Sequence, residues 1–149
     1  MSTRPLTMVF GYRDREIDRV KRSLESLSFQ TCKDFHVNFV DYGSQTRNAR
    51  AVRELTDSLD FCRYFYSDTR GQPWNRSRAL TIGVRRSRTK FVLTTDVDMI
   101  FAPNFVEEVL KAQDGQVVVQ CAPRWLPEAF AYSGTRVGSW DTCPIGDRA

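Results

Sequence analysis

A mostly parallel, doubly wound α/β sheet is the fold class this sequence predicts, and three features predict it. Short apolar runs alternate with stretches whose apolar residues recur at helical spacing, in the order βαβαβαβαβ. Strands that alternate with helices pair in parallel through right-handed crossovers. The 149 residues are 41% hydrophobic, which suffices for one domain with its own core.

The elements follow in order. "LTMVFGY" reads as a first strand. Over residues 15–29, Ile17, Val20, Leu24 and Leu27 mark one helical face, and Asp14 stands where it could cap that helix. "FHVNFVDYGS" reads as a second strand running into a Gly-Ser turn, and Ala49, Val52, Leu55 and Leu59 mark a second helix. "CRYFYSD" is a third strand, "TRGQP" a loop, and residues 74–86 a third helix. "KFVLTTD" is short and continuously apolar at its start, as expected of a central strand covered on both faces. Pro103 suits the first turn of a helix running to residue 112, and "QVVVQCA" reads as a fifth strand. The single domain spans 1–149, with a core over about 5–122. From 123 to 149 periodicity fails, and Pro, Gly and aromatics mix as they would in a substrate-facing loop.

Composition excludes several classes. No apolar stretch reaches membrane-spanning length, and "MSTRPLTMVF" lacks the apolar core of a signal peptide, so a cytoplasmic location without a transmembrane segment is expected. Cys32, Cys62, Cys121 and Cys143 are far apart and only one His is present, which speaks for reduced thiols rather than a zinc site or a disulfide framework. The net charge of +4 comes from 18 Arg and 4 Lys against 18 acids. Apart from Arg85-Arg86-Ser87-Arg88 the arginines are scattered among acids, a solvated surface rather than a nucleic-acid footprint. Neither a G-x-G-x-x-G after the first strand nor a G-x-x-x-x-G-K-[ST] occurs, which disfavours the dinucleotide and P-loop versions of the fold.

The stretch "RTKFVLTTDVDMIFAPNF" carries the chemistry. Asp96 and Asp98 stand one residue apart where an apolar strand ends, the place where open α/β sheets put their ligands. Two nearby carboxylates in apolar surroundings need a neutralising partner. A bound divalent cation supplies one, and so does solvent around a turn. Twelve Asp in 149 residues make one Asp-x-Asp triplet expected by chance, roughly, so position matters more than the motif.

Taken together, "FGYRDREIDRVKRSLESLSFQ", the "DYGS" turn, "WNRSRALTIG" and "TTDVDMIF" resemble, in this order, the nucleotide-sugar-binding half of A-type glycosyltransferases. The opening is similar to glycosyltransferase family 2. The aromatic-Asn-Arg start of a helix, followed one strand later by Asp-Val-Asp, is similar to the β-1,4-galactosyltransferases and the chondroitin-polymerising enzymes. The resemblance covers about residues 5–122. It implies metal-dependent, inverting transfer from a UDP-sugar donor to a glycan or glycoconjugate acceptor.

The resemblance also assigns residues. Asp98 is implied as the direct ligand of Mn²⁺ or Mg²⁺, with Asp96 touching the metal, the ribose or the donor sugar; carboxylates and phosphate oxygens suit such hard ions. Asp41 matches the family acid that recognises base or ribose, although an Asp there could instead brace the turn. Tyr42 stands where many family members have a second acid. Arg76 is implied for the nucleotide, at a helix start where anions are already favoured. Arg78 could do the same or lie on the surface. Arg13 matches an Arg near the nucleotide, Tyr12 could lie against the base, and Trp74 is a lesser stacking candidate. The general base of inverting transfer is an acid in a Trp/Gly-rich Glu-Asp motif well beyond the Asp-x-Asp. "VGSWDTCP" with Asp141 lacks the paired acids, so the base is expected beyond Ala149 and the chain alone is expected not to transfer sugar. An acceptor-side half missing from the sheet is expected to favour self-association. Two alternatives stand beside this reading. One is a module that binds donor without transferring it. The other is a haloacid-dehalogenase-type phosphotransferase, whose Asp-x-Asp belongs after the first strand rather than the fourth.

Overall fold

A computed structural model describes residues 4–123 of the chain. The elements are β1 (Leu6–Tyr12), α1 (Ile17–Ser28), β2 (Phe35–Asp41), α2 (Thr46–Asp57), β3 (Cys62–Tyr66), α3 (Arg76–Arg85), β4 (Phe91–Asp96) and α4 (Phe105–Ala112). The four strands pair in parallel in the order β3-β2-β1-β4. The chain therefore steps outward from β1 to β3, then returns to the other side of β1.

The side-chain period of two sorts β1 between two layers. Leu6, Met8, Phe10 and Tyr12 enter a core shared with Val20, Leu24 and Leu27 of α1, Val52 of α2, and Val106 and Val109 of α4. On the other face, Val9 and Gly11 meet α3, where Ala79 packs with Val40 and Tyr42. Helices thus cover both faces, and the doubly wound prediction holds.

Four expectations need correction. Among the described residues β4 is an edge strand, not a central one: Phe91 and Leu93 pack on the core, while Val92, Thr94 and Asp96 are exposed. The strands covered on both faces are β1 and β2, each of which lies between two other strands. No strand forms over 116–122, where no described strand offers a partner and Val118 is 97% exposed. Asp14 does not cap α1, whose N-cap is Glu16. Asp14 instead takes φ +50°, and its Oδ1 accepts from Gln45 N (2.9 Å) and Asn48 Nδ2 (2.8 Å), tying the β1 loop to the start of α2. Finally, α3 and α4 begin two residues later than residues 74 and 103. Asn75 caps α3 by accepting from Arg78 N at 2.9 Å. The tail after residue 123 lies outside the described residues.

Two buried polar residues, Ser26 of α1 and Gln30 just after it, hold the segment that follows β4. Ser26 Oγ accepts from Phe101 N (3.0 Å) and donates to Ser23 O (2.6 Å). Gln30 is 2% exposed; its Nε2 donates to Ala102 O (2.6 Å) and its Oε1 accepts from Val106 N (2.9 Å). The loop carrying Asp98 is therefore fixed from below by hydrogen bonds that are costly to leave unmade.

Gly83 lets α3 approach β1 closely. A Cβ there would collide with the side chain of Val9 and stand 3.2 Å from Cγ2 of Val40. We expect Gly83→Ala to destabilise the domain by about 1–3 kcal/mol, the usual cost of overpacking a core. Urea denaturation measures it; an unchanged midpoint would show that α3 shifts without cost.

Candidate functional site

The sheet order brings the C-terminal ends of β1, β2 and β4 side by side. In register, Gly11 of β1 stands beside Asp96 of β4, and Tyr12 beside Asp41 of β2. The crevice between β1 and β4, whose crossovers run in opposite directions, is a topological switch point. Asp96 closes β4 and Asp98 follows it, with Val97 between them buried at 6% in the core. That buried valine anchors the turn and leaves the two carboxylates on its outer side.

Each carboxylate is held by an arginine. Arg76 Nε donates to Asp96 Oδ1 at 2.8 Å, across from the first residue of α3. Arg15 donates to Asp98 Oδ2 from Nε (3.0 Å) and Nη2 (2.5 Å). The Asp98 side chain is 22% exposed and that of Asp96 57%, so both remain reachable. Asp98, above all, holds the Arg15 guanidinium further up than its already high ordinary pKa. Sequence reasoning missed Arg15. Its signal was present in "YRDRE", which puts two arginines in the loop after the strand that ends at the site.

The other candidates divide. Tyr12 is 1% exposed, with its ring against Phe39 at 5.4 Å between centroids. It offers no face to a base, which corrects that expectation. Its hydroxyl donates to Arg15 O at 3.1 Å and so fixes the backbone of the Arg15 loop. Burial, more than the nearby Asp41 and Asp14, pushes its pKa up to about 12. Asp41 is fully buried; its Oδ1 accepts from Ser44 N and its Oδ2 from Tyr64 OH, both at 2.8 Å. This is the turn-bracing arrangement. Gly43, at φ +83°, completes that turn, since a Cβ there would stand 2.6 Å from Thr69 Oγ1.

Arg13 clamps the loop after β3. It donates from Nε to Tyr42 O (2.5 Å), from Nη1 to Gln72 O (2.6 Å), and from Nη2 to Thr69 O (2.7 Å) and Thr69 Oγ1 (2.9 Å). That loop leads to Trp74, which is 44% exposed, meets Tyr42 edge-on at 6.0 Å and lies over Gly11. Trp74 therefore sits beside the strand end that carries Asp96. The exposed Arg78 side chain makes no hydrogen bond or ion pair among the described residues.

The donor set fits a hard divalent cation. Two carboxylates stand one residue apart at the end of β4, and among the described residues no group of three or more His, Cys, Asp or Glu could hold a metal. Mg²⁺-like ions accept this: they use one or two carboxylates and take their other oxygens from water and phosphate. Glu128, Asp141 and Asp147, the acids of the tail, lie outside the described residues.

Paired carboxylates at the switch point of a parallel sheet stand where open α/β folds bind their ligands. The family follows from sequence comparison. Residues 13–138 match the family model "Glycosyl transferase family 2", and the chain belongs to that family. The phosphotransferase alternative falls with it. No curated protein matches the chain. Among solved structures, S. aureus TarS 1-349 is similar at 16% identity and a TM-score of 0.61, over 71% of this chain and 31% of that one. The same protein in complex with UDP aligns with a TM-score of 0.58, over 71% of this chain and 31% of that one, at 16% identity. The mannosyltransferase PcManGT from Pyrobaculum calidifontis, in complex with GDP-Man and Mn²⁺, gives 0.63 at 19% identity, over 74% and 33%. The chain thus spans about a third of the length of these structures, and at such identities they establish the A-type glycosyltransferase fold alone.

Burial raises the Asp41 carboxyl above the ordinary carboxylate range, and its hydrogen bonds from Ser44 and Tyr64 oppose this only in part. With a folded pKa above the unfolded one, its stabilisation is fully present below pH 3.8 and lost as pH rises through the folded value. Asp41→Asn removes the buried charge and keeps an acceptor, so at pH 7 we expect stability within about 1 kcal/mol of wild type. Asp41→Ala strands a backbone N–H and a phenol, and should cost about 1–3 kcal/mol. Equal losses in chemical denaturation would contradict the turn-bracing role.

Proposed function

We propose that this chain is the donor-binding part of a metal-dependent, inverting glycosyltransferase that uses a UDP-sugar. The observation that carries the reading is the Asp96/Asp98 pair on a buried Val97 anchor at the switch point, facing the N-terminus of α3. Family membership and the folds of proteins solved with UDP and with GDP-Man and Mn²⁺ support it. The Asp-Val-Asp and "WNRSR" stretches support the galactosyltransferase and chondroitin-polymerase branch, with a glycan or glycoconjugate as acceptor. Among the described residues no helix is long and apolar enough to cross a membrane; cytoplasmic location and self-association belong to this proposal.

Asp98 and Asp96 would hold Mn²⁺ or Mg²⁺, which when bound neutralises the charge building up on the departing diphosphate. The remaining work falls to the chain. Arg76, freed from Asp96, and the first N–H groups of α3 offer the diphosphate a cationic, dipole-favoured seat. Arg78 adds a second guanidinium at the same helix start. Trp74 covers the end of β1 and excludes water from that side. Arg13 and Asp41 act in the proposal by holding the loops that frame the nucleotide, and Tyr12 by holding Arg15. The general base that takes the acceptor's proton is assigned to none of the described residues.

Calorimetry with UDP tests the reading. We expect UDP to bind far more tightly with Mn²⁺ than with chelator, and Asp98→Asn to lose most of that difference while keeping the fold. Arg76→Ala should weaken UDP by about 1–3 kcal/mol, the scale of a charge-assisted hydrogen bond. Equal affinity with and without Mn²⁺ would refute the metal role.

A further inference from the structure

Without a metal, both acids of the Asp-x-Asp already have cations. Arg76 holds Asp96, and Arg15 holds the same oxygen of Asp98 through two N–H groups. Two carboxylates and two guanidiniums sum to no net charge. A divalent cation that takes the arginine-bound oxygens displaces two favourable contacts and leaves Arg15 and Arg76 without their carboxylate partners.

We propose that Arg15, with Arg76 as its counterpart, stands in the cation's place in the metal-free chain and so makes metal and diphosphate binding depend on each other. The inference rests on the reading of Asp96 and Asp98 as metal carboxylates. A metal arriving alone meets a site that is already neutralised. A metal arriving with a diphosphate brings the negative charge that the displaced arginines need. The Arg15 side chain is 52% exposed and free to swing, while its backbone stays fixed through the hydrogen bond from Tyr12. The exchange therefore moves a side chain and not the loop. Because binding free energies are linked, whatever factor the metal adds to the nucleotide the nucleotide adds to the metal.

Mn²⁺ binding, followed by electron paramagnetic resonance with and without UDP, reads this directly without any turnover. In the 149-residue chain, Arg15→Gln should tighten Mn²⁺ alone by roughly two- to five-fold, the range of a partly exposed ion pair, and reduce the factor by which UDP and Mn²⁺ strengthen each other. Arg85→Gln removes the same charge from the far end of α3 without touching either carboxylate and should leave Mn²⁺ alone unchanged. An Arg15→Gln chain that binds Mn²⁺ as wild type does, or an Arg85→Gln chain that tightens it equally, would overturn the proposal. Asp98→Asn separates the two claims. If it abolishes Mn²⁺ binding while Arg15→Gln has no effect, only the exchange fails; if it binds Mn²⁺ like wild type, the metal site fails with it.

Discussion

Everything at the site hangs from the C-terminal end of β1. This strand is buried on both faces, against α1, α2 and α4 on one side and α3 on the other. Parallel pairing with β2 and β4 then fixes, residue by residue, what stands beside its end: Asp41 next to Tyr12, Asp96 next to Gly11. A one-residue slip would turn every apolar side chain of β1 to the wrong layer, so the core itself enforces the site's register. Close packing of α3 through Gly83 and Gly11 sets the third side, placing Arg76 opposite Asp96.

Within that frame the charged residues do two kinds of work. Arg13, Asp14 and Asp41 are spent on backbone groups: carbonyls of the loop after β3, the N–H of Gln45 at the cap of α2, and the N–H of the turn after β2. They stiffen three loops that converge on one crevice. Among the described residues the side chains of Arg15, Arg76, Asp96 and Asp98 bind one another, at or near the surface. Ion pairs of that kind contribute little to stability. They can therefore exchange partners, as the proposed charged ligand requires.

Much of this was legible in the sequence because it depends on local pattern. The alternation of apolar runs with helical periodicity gave all eight described elements, and the position of Asp96 at a strand end pointed to the candidate site. What was hidden depends on contacts distant in sequence. The apolar start of β4 looks like that of a buried strand, yet only topology says that it lies at the edge. "QVVVQCA" has the composition of a strand, but a strand needs a neighbour, and the described residues give it none. Asp14 precedes a helix by the right distance for a cap, and its φ of +50° turns its carboxylate to a different helix. The roles of Asp41 and Tyr12 turned on burial, and the pairing of Arg15 with Asp98 spans 83 positions that no local motif connects.

The central claim is that Asp98 exchanges an arginine for a divalent cation when a nucleoside diphosphate binds. A crystal structure of the chain grown with UDP and Mn²⁺ tests it most directly. The predicted result is Mn²⁺ held at Asp98 beside the diphosphate, with the Arg15 guanidinium gone from Asp98 and turned toward phosphate. UDP bound with Mn²⁺ held elsewhere, or with the Arg15–Asp98 pair intact, would contradict it.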